Sequence, residues 1–381
     1  MSIKNLTSKL SALCLCFSLQ SCVDKFNMKG VEGIEGILVV EGIITDDKTV
    51  ITLSQSINLH NDLWGEGVIP TFIANAEVFV EREDGTLFKA DPPTSEWGYL
   101  DGRYIIRTGT LNVNYRYRLR IRIDEHEYQS DFTYPIQTPE IDSIFWRKDG
   151  LGFPVVIYVS THDPSSQIFH YRWSFIEDWE IQTTWRSDTS FAFPTQCWAS
   201  AESVGLIIGS SVRTGGQLTQ QLTEIIPTSV KLSELYRITV RQNAISHRAF
   251  IYFENIQKNT DLTGSIFAPT PSELRGNIVS TTDPQRPVIG FIDVSTAVQK
   301  SFFISQKDSV YEVVRPNCRL YMEDTLVSQL GPDWEEIWVP NVFVFLPWNP
   351  ERDLFRIFTY RHCVDCRFLG GTTRRPENWP N

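Results

Sequence analysis

The stretch NYRYRLRIRIDEHEYQS, residues 114–130, alternates apolar and charged side chains. An alternation with a period of two places successive side chains on opposite faces of a β-strand. One predicted face carries the apolar residues Tyr115, Tyr117, Leu119, Ile121 and Ile123. The other face carries Arg116, Arg118, Arg120 and Arg122. The pattern predicts a half-buried strand, and it indicates a β fold around that strand.

Further strand patterns precede this stretch. Residues 37–55 form two β-branched runs separated by a polar turn, and residues 74–90 place Asp84-Gly85 between apolar runs. An Asp-Gly pair between apolar runs is a strong hairpin signal. Short strands at regular spacing predict an N-terminal, Ig-like β-sandwich over residues 37–137.

Pro135 and Pro139 interrupt the strand pattern. They mark the predicted start of a larger domain, residues 140–381. This domain contains more strand patterns and one helical segment, SHRAFIYFENIQKNTD at 246–261, with Ser246 as its expected N-cap. Its apolar residues at helical spacing are Ala249, Phe250, Phe253 and Ile256. We therefore predict a mostly β protein whose C-terminal β-rich domain carries one amphipathic helix.

The N-terminus has the pattern of an export signal. Lys4 and Lys9 flank an apolar run at 10–19 that is too short to span a bilayer. The run ends in Leu19-Gln20-Ser21-Cys22, which resembles a bacterial lipobox. We predict a signal peptide at 1–21, lipidation of Cys22 and a flexible tether at 22–36. The alternative is an ordinary secretory signal that contains a cysteine.

The net charge of the chain indicates which classes of partner it can bind. The net charge of the chain is −11, in a composition that is 41% hydrophobic and 21% charged. An acidic body repels the phosphates of nucleic acids and the headgroups of an anionic membrane. We expect no nucleic-acid partner, and we expect the membrane attachment to come from lipid and not from charge.

Four cysteines lie beyond the predicted lipidation site, and an even number in an exported protein indicates disulfides. They are Cys197, Cys318, Cys363 and Cys366. Four cysteines allow three connectivities. We favour the two in which Cys363 and Cys366 each reach a distant partner over the one that joins them to each other. A single Cys-x-x-Cys beside His362 is a poor zinc motif, and no helix pattern follows it as in a redox pair.

Enzyme signatures are weak in this sequence. It has no glycine-rich phosphate loop and no Gly-x-Ser-x-Gly elbow, and His126-Glu127 lacks the second histidine of a metallopeptidase helix. His162-Asp163 precedes a proline and fits a turn. We predict that the protein is not an enzyme and uses no cofactor or metal, and we keep a hydrolase as the third hypothesis.

Three groups of side chains are candidate ligand or partner surfaces. The first is the arginine row 116–122, for which Glu77, Glu81 and Glu83 offer cross-strand partners, so a solvated face is the favoured interpretation. The second is Trp173, Trp179 and Trp185, whose even spacing predicts one shared face, with sandwich core as the favoured interpretation and a stacking platform as the alternative. The third is the basic tail with Arg374, Arg375 and Trp379.

The chain also resembles a family of Bacteroidota outer-membrane lipoproteins, domain of unknown function family 4249. The resemblance is carried by QCWAS at 196–200, by residues 242–295 and by CVDCRFLGGTTRRPENWP at 363–380. It implies an accessory partner of a TonB-dependent outer-membrane transporter, and it carries over no catalytic residues.

These observations lead to an ordered set of functional hypotheses. The first is a lipid-anchored outer-membrane lipoprotein, on either membrane face, that acts as a binding or accessory subunit of a TonB-dependent transporter. The second is a stand-alone carbohydrate- or peptide-binding lipoprotein. The third is the hydrolase.

Overall fold

The computed structural model is mostly β, as the alternating patterns predict, and it contains one α-helix in the part of the chain that it describes. It describes residues 36–56, 71–93, 95–96, 99–150, 152–185, 193–227, 229–261, 276–305, 318–319, 321–322, 343–345 and 357–380. The predicted signal, Cys22 and most of the tether lie outside these residues. Within them, no helix is long and apolar enough to cross a membrane.

The first unit of the structure is a large sheet, built mainly from the N-terminal third of the chain. Its strands are β1 Leu38–Ile43, β2 Asp47–Gln55, β3 Thr71–Phe72, β4 Glu77–Arg82, β5 Leu87–Asp91, β8 Arg103–Gly109, β9 Tyr117–Ile123, β10 His126–Ser130, β18 Ile278–Ser280 and β19 Val288–Gly290. They follow the order β18-β10-β9-β4-β5-β8-β2-β1-β19, and β3 pairs with β2. A short hairpin, β6 Ser95–Glu96 with β7 Tyr99–Leu100, stands apart.

The alternating residues at 115–123 contain β9, and its two faces are as predicted. Tyr117, Leu119 and Ile121 are buried in the core of this sheet, and Tyr115 and Ile123 pack against that core. The apolar face is buried because every second side chain of a strand points to the same side of the sheet. The alternation therefore identified the core correctly.

Both edges of this sheet are completed by residues from far along the chain. β18 pairs antiparallel with β10, and β19 pairs parallel with β1. The two edge strands come close together, since a Cβ on Gly276 would lie 1.6 Å from the carbonyl oxygen of Gly290. Residues 278–290 fall in the predicted second domain, so the predicted division at 137–140 does not separate the two sheets. The Ig-like description of the first unit stays a prediction.

The second unit is a pair of facing sheets. One contains β11 Ile141–Arg147, β12 Val155–His162 and β16 Gln217–Ile225. The other contains β13 His170–Gln182, β14 Gln196–Glu202, β15 Ile207–Ser210, β17 Leu235–Ala244 and β20 Ala297–Ser305. Side chains of both sheets share one buried core, with Val155, Ile157 and Val159 facing Trp173, Ile238 and Val240. This is the usual way for two half-apolar sheets to remove their inner faces from water.

The helix, α1 His247–Asp261, matches the predicted segment. Ser246 caps it, because its Oγ accepts a hydrogen bond from the backbone N–H of Ala249 at 3.2 Å. Ala249, Tyr252 and Phe253 are buried in a small core that includes Phe291 and touches Ile43 of the first sheet. The helix therefore packs between the two units.

The last strands form a small sheet, with β21 Tyr321–Met322, β22 Phe343–Phe345 and β23 Ile357–Tyr360 in the order β21-β23-β22. Single 3-10 turns occur at Val212–Thr214, Val230–Leu232, Arg361–Cys363 and Cys366–Leu369. These short elements lead into the C-terminal tail.

Two disulfides fix this tail. Cys197 is bonded to Cys366, and Cys318 to Cys363, which is one of the two long-range connectivities that the sequence favoured. Gly371 lies so close to the first bridge that a Cβ on it would approach the Cβ of Cys197 to 2.5 Å. The C-terminus is thus stapled to the second unit.

Removal of the Cys197–Cys366 bridge is expected to destabilise the protein more than removal of the other bridge. The bridges span 169 and 45 residues. In the chain-entropy model, loops of these lengths contribute about 5 and about 4 kcal/mol to the free energy of unfolding. Urea unfolding of the two double Cys→Ser variants measures both values. Equal losses, or a larger loss for Cys318/Cys363, would contradict this ranking.

Acidification is expected to destabilise the fold through His170. This buried ring stacks on Phe250, and its Nε2 lies 3.1 Å from Nδ1 of His247. Burial, and then the neighbouring His247, lower the pKa of His170. The unfolded chain therefore binds the proton more readily, so stability is lost as the pH falls through about 6.5.

The measurement is the free energy of unfolding between pH 7.5 and pH 5.5 for the wild type and for His170→Gln. Glutamine retains a polar group but does not titrate in this range, so its loss of stability on acidification should be smaller. Identical losses for the two proteins would show that protonation of His170 is not the cause.

Candidate functional site

A cleft of about 480 Å³ lies between the two units. One wall is the β1–β2 corner, represented by Ile43, Thr45 and Lys48. The other wall is the outer face of the β14-β13-β17-β20 sheet, with Arg172 and Arg241 among its side chains. A concave site between two units, lined by apolar groups and a few polar ones, is the usual form of a small-molecule site.

Arg172 and Arg241 are the main charged groups on the sheet wall. In the register of β13 and β17, Arg172 faces Asn243 and Arg241 faces Ser174, so the two arginines are diagonal neighbours on one face. Among the described residues, neither guanidinium has a hydrogen bond or an ion pair within 4.0 Å. Arg172 lies over the ring of Phe253, 5.1 Å from its centroid.

Desolvation shapes the electrostatics of both arginines. Burial lowers the pKa of Arg172, and Glu41 acts in the opposite direction. Burial likewise lowers the pKa of Arg241, against the effect of Asp46. A guanidinium stays protonated under such shifts because its ordinary pKa is above 12. The cleft therefore holds two positive charges that are partly removed from water.

Two further cations lie on the lining. Lys48 is exposed, and Arg103 has an Nη1 that lies 3.6 Å from a carboxylate oxygen of Glu202. Asp46 is already engaged, because its Oδ1 accepts hydrogen bonds from the backbone N–H of Ala297 and from Thr45 Oγ1. The described lining thus contains four cations and one carboxylate, in a protein whose net charge is −11.

A second cleft, of about 600 Å³, contains a histidine beside a carboxylate. Nδ1 of His162 lies 2.8 Å from the carboxylate oxygens of Asp142. Asp163 forms the predicted turn: burial acts to raise its pKa, but hydrogen bonds from Ser165, Ile168 and Gln167 outweigh that effect and lower it to about 2.

The described residues of this second cleft include no nucleophile paired with the base. In the described part of the chain, the hydrogen bonds of His162 go to Asp142 alone, and Ser165 Oγ donates to Asp163 at 2.6 Å. Hydrolysis by a serine nucleophile requires the serine hydroxyl to lie within hydrogen-bond distance of the histidine. The arrangement supplies a base and its orienting carboxylate but no activated serine.

The arginine row on β9 is paired, as its favoured interpretation expected. Arg116 contacts Glu83 at 2.7 Å and Arg118 contacts Glu81 at 2.8 Å. Arg120 lies 3.5 Å from the same Glu81, and Arg122 pairs with Glu77. The facing residues Glu77, Glu81 and Glu83 engage these guanidinium groups, which supports the solvated-face interpretation, and the ligand surface stays an untested prediction.

The three tryptophans do not form a stacking platform. Trp173 is 2% exposed, and its Nε1 donates to Oε1 of Gln242 at 2.8 Å inside the sandwich core. Trp179 is half-buried between that core and the Cys197–Cys366 cluster. Trp185 lies beyond the end of β13, and its backbone N–H donates to the carbonyl of Cys363. Trp173 and Trp179 therefore belong to or pack against the sandwich core, which is the favoured interpretation, and the three rings do not share a ligand face.

The tail does not offer Trp379 as a docking group. Its ring is 7% exposed and packs on Phe303 and over the guanidinium of Arg237. Arg237 also donates to the carbonyl of Glu377 and pairs with Asp178 at 2.8 Å, so it joins the tail to the sheet. The tail covers part of its own sheet, and this corrects the expectation of an available Trp379. Arg374 and Arg375 are exposed.

The one group of potential metal ligands among the described residues is Cys318, His362 and Cys363, whose ligand atoms lie within 4.8 Å of one another. The two sulfur atoms are bonded to each other, and a disulfide sulfur is not the thiolate that zinc requires. Burial lowers the pKa of His362, whose ring stacks on Tyr360.

Arg172 and Arg241 were not among the residues predicted from the sequence. Each is a cation in an otherwise strand-like run, YRWSF and ITVRQ, at a position that alternates with core residues. That pattern is also found in solvated faces such as β9. A distinguishing signal would have been the absence of acidic residues at the facing positions, but pairing of β13 with β17 is not visible in the sequence.

Comparisons with known proteins add a family but no described activity. No curated protein matches this sequence. Among solved structures, a chain titled "Cytokine receptor complex - Crystal form 1A" aligns at 13% identity over 54% of this chain and 84% of that chain, with a TM-score of 0.19. A score that low does not define a shared fold. The family model described as "Domain of unknown function (DUF4249)" matches residues 23–301. The protein therefore belongs to the DUF4249 family.

Proposed function

We propose that this protein is an outer-membrane-anchored lipoprotein that binds a ligand and serves a TonB-dependent transporter as an accessory subunit. The observation that carries the binding role is the cleft between the two units, with Arg172 and Arg241 on its wall. A cleft of this size, with two arginines that no described residue pairs, is suited to holding a small molecule.

The anchoring part of the proposal rests on the N-terminal sequence. The Leu19-Gln20-Ser21-Cys22 motif supports lipidation at Cys22, and the two long-range disulfides fit an oxidising compartment. The transporter part rests on the resemblance described above, which implies such a partner for members of the family.

The alternatives have less support. The hypothesis of a stand-alone carbohydrate or peptide binder depends on an exposed tryptophan face. It loses support because Trp173 is buried in the core. One observation favours a hydrolase, namely the Asp142–His162 pair. However, no described hydroxyl group forms a hydrogen bond with the imidazole of His162. We therefore propose a binding role without catalysis.

Replacement of Cys22 by serine is expected to move the protein from the membrane fraction to the soluble fraction and to leave residues 1–21 uncleaved. The reason is that the thiol is the lipid attachment point, and stable anchoring needs the acyl chains. Fractionation followed by mass spectrometry of the N-terminal peptide measures both effects. The matched control, Cys14→Ser, changes a cysteine inside the predicted signal and should remain in the membrane fraction. Membrane retention of both variants would refute the anchor.

Copurification tests the partner. A tag placed after Asn381 avoids the predicted anchor, and extraction of membranes in mild detergent should recover a β-barrel transporter in near-stoichiometric amount. The Cys22→Ser variant serves as the control for association that depends on the anchor. Recovery of the lipoprotein alone, from cells that contain both proteins, would reject the accessory role.

A further inference from the structure

The cleft between the two units combines features that point to a particular class of ligand. We propose that Arg172 and Arg241 bind a small organic molecule through an oxyanion group, a carboxylate or a phosphate. This inference rests on the binding role proposed above, and it adds the chemistry of the ligand.

The first support is the state of the two guanidinium groups. A charge that is partly removed from water destabilises the protein unless it is paired or hydrogen-bonded. Elsewhere in the structure Arg116, Arg118 and Arg237 each hold a carboxylate at 2.7 to 2.8 Å. Arg172 and Arg241 have no such partner among the described residues, although the protein is rich in carboxylates.

The neighbouring acidic groups do not replace that partner. Glu41 and Asp46 influence the pKa of Arg172 and Arg241 respectively, but neither lies within 4.0 Å as an ion pair in the described structure. Oδ1 of Asp46 already accepts hydrogen bonds from the backbone N–H of Ala297 at 2.8 Å and from Thr45 Oγ1 at 3.0 Å. The two guanidinium groups therefore remain available to an external acceptor.

The second support is the spacing of the two arginines. As diagonal neighbours on β13 and β17, they stand roughly 7–8 Å apart at Cα, which is within joint reach of one ligand for side chains of this length. A planar guanidinium donates two parallel hydrogen bonds to a carboxylate or phosphate. Two of them on one wall suit a group with several oxygens.

The third support is the rest of the lining. Ser174, Thr239 and Gln299 offer neutral polar atoms on the same wall, while Ile43, Phe175 and Ile176 provide apolar surface. The volume of about 480 Å³ is larger than a free inorganic ion needs and falls in the range of small organic ligands. The site therefore fits an anionic group attached to a partly apolar body.

Titration of the full chain, purified in detergent, tests the proposal with two probes. Citrate represents carboxylates and pyrophosphate represents phosphates, each measured by calorimetry and by thermal unfolding at constant ionic strength set with sodium chloride. We expect saturable binding of at least one probe and a rise of its melting temperature with concentration.

Three variants separate the site from general charge effects. Arg172→Gln and Arg241→Gln should each weaken binding about tenfold or more, because each removes charge-assisted hydrogen bonds. Arg147→Gln is the matched control. Arg147 is exposed on the outer face of the other sheet of the same unit, over the rings of Phe145 and Tyr158. This control should bind as the wild type does.

The fold of each variant is checked by its unfolding transition without ligand. Removal of an unpaired, partly buried cation should leave the melting temperature of Arg172→Gln unchanged or raised, so lost binding cannot be attributed to unfolding. Arg172→Lys, which keeps the charge but not the two-pronged geometry, should bind with intermediate affinity.

The outcomes separate the ligand classes. Binding of citrate alone assigns a carboxylate ligand, binding of pyrophosphate alone assigns a phosphate ligand, and binding of both assigns an oxyanion site. No effect beyond that of sodium chloride, or equal binding by wild type and both cleft variants, overturns the inference. Copurification with a barrel is independent of this titration, so a failed transporter role and a failed anion site are distinguishable.

Discussion

The pairing of one late segment, residues 276–297, with the first sheet is the constraint on which the rest of this structure depends. Its two strands complete opposite edges of that sheet, and Gly276 and Gly290 approach more closely than any side chain would allow. Asn277 and Ile292 exchange hydrogen bonds of 2.7 and 2.8 Å. The same segment then continues into β20 of the second unit. Backbone pairing along this segment therefore joins the two units.

This junction positions the cleft. Asn243 of β17 donates to Ser295 Oγ and to the carbonyl of Thr296, and Ile44 pairs with Val294 at the end of β1. The β1–β2 corner is thereby held against the sheet face that carries Arg172 and Arg241. Two cations that would be solvated on an isolated sheet become partly buried, and no described residue accepts a hydrogen bond from either guanidinium, which is the basis of the proposed anion site.

Particular residues show where sequence reasoning succeeded and where it did not. The alternation at 115–123 placed Tyr117, Leu119 and Ile121 in the core and anticipated the pairing of the arginines with glutamates. The helical spacing at 246–261 gave α1 and its cap. The even spacing correctly related Trp173 and Trp179, which both pack with the core of the second unit, but β13 ends at Gln182, so the spacing does not define a face at Trp185. The tail was misjudged because the sheet that covers Trp379 is more than seventy residues earlier.

The sequence by itself determined the β character, the helix, the preference for long-range disulfides and the family resemblance. These depend on local periodicity, on counting cysteines and on motifs, and each is readable within a short window. Only the tertiary structure decided the pairing of 276–297 with the first sheet, the choice between the two long-range cysteine connectivities and the lack of a carboxylate partner for Arg172 and Arg241 among the described residues. These depend on contacts between residues distant in the chain, and whether an arginine has a carboxylate partner is settled only when the strands are placed side by side.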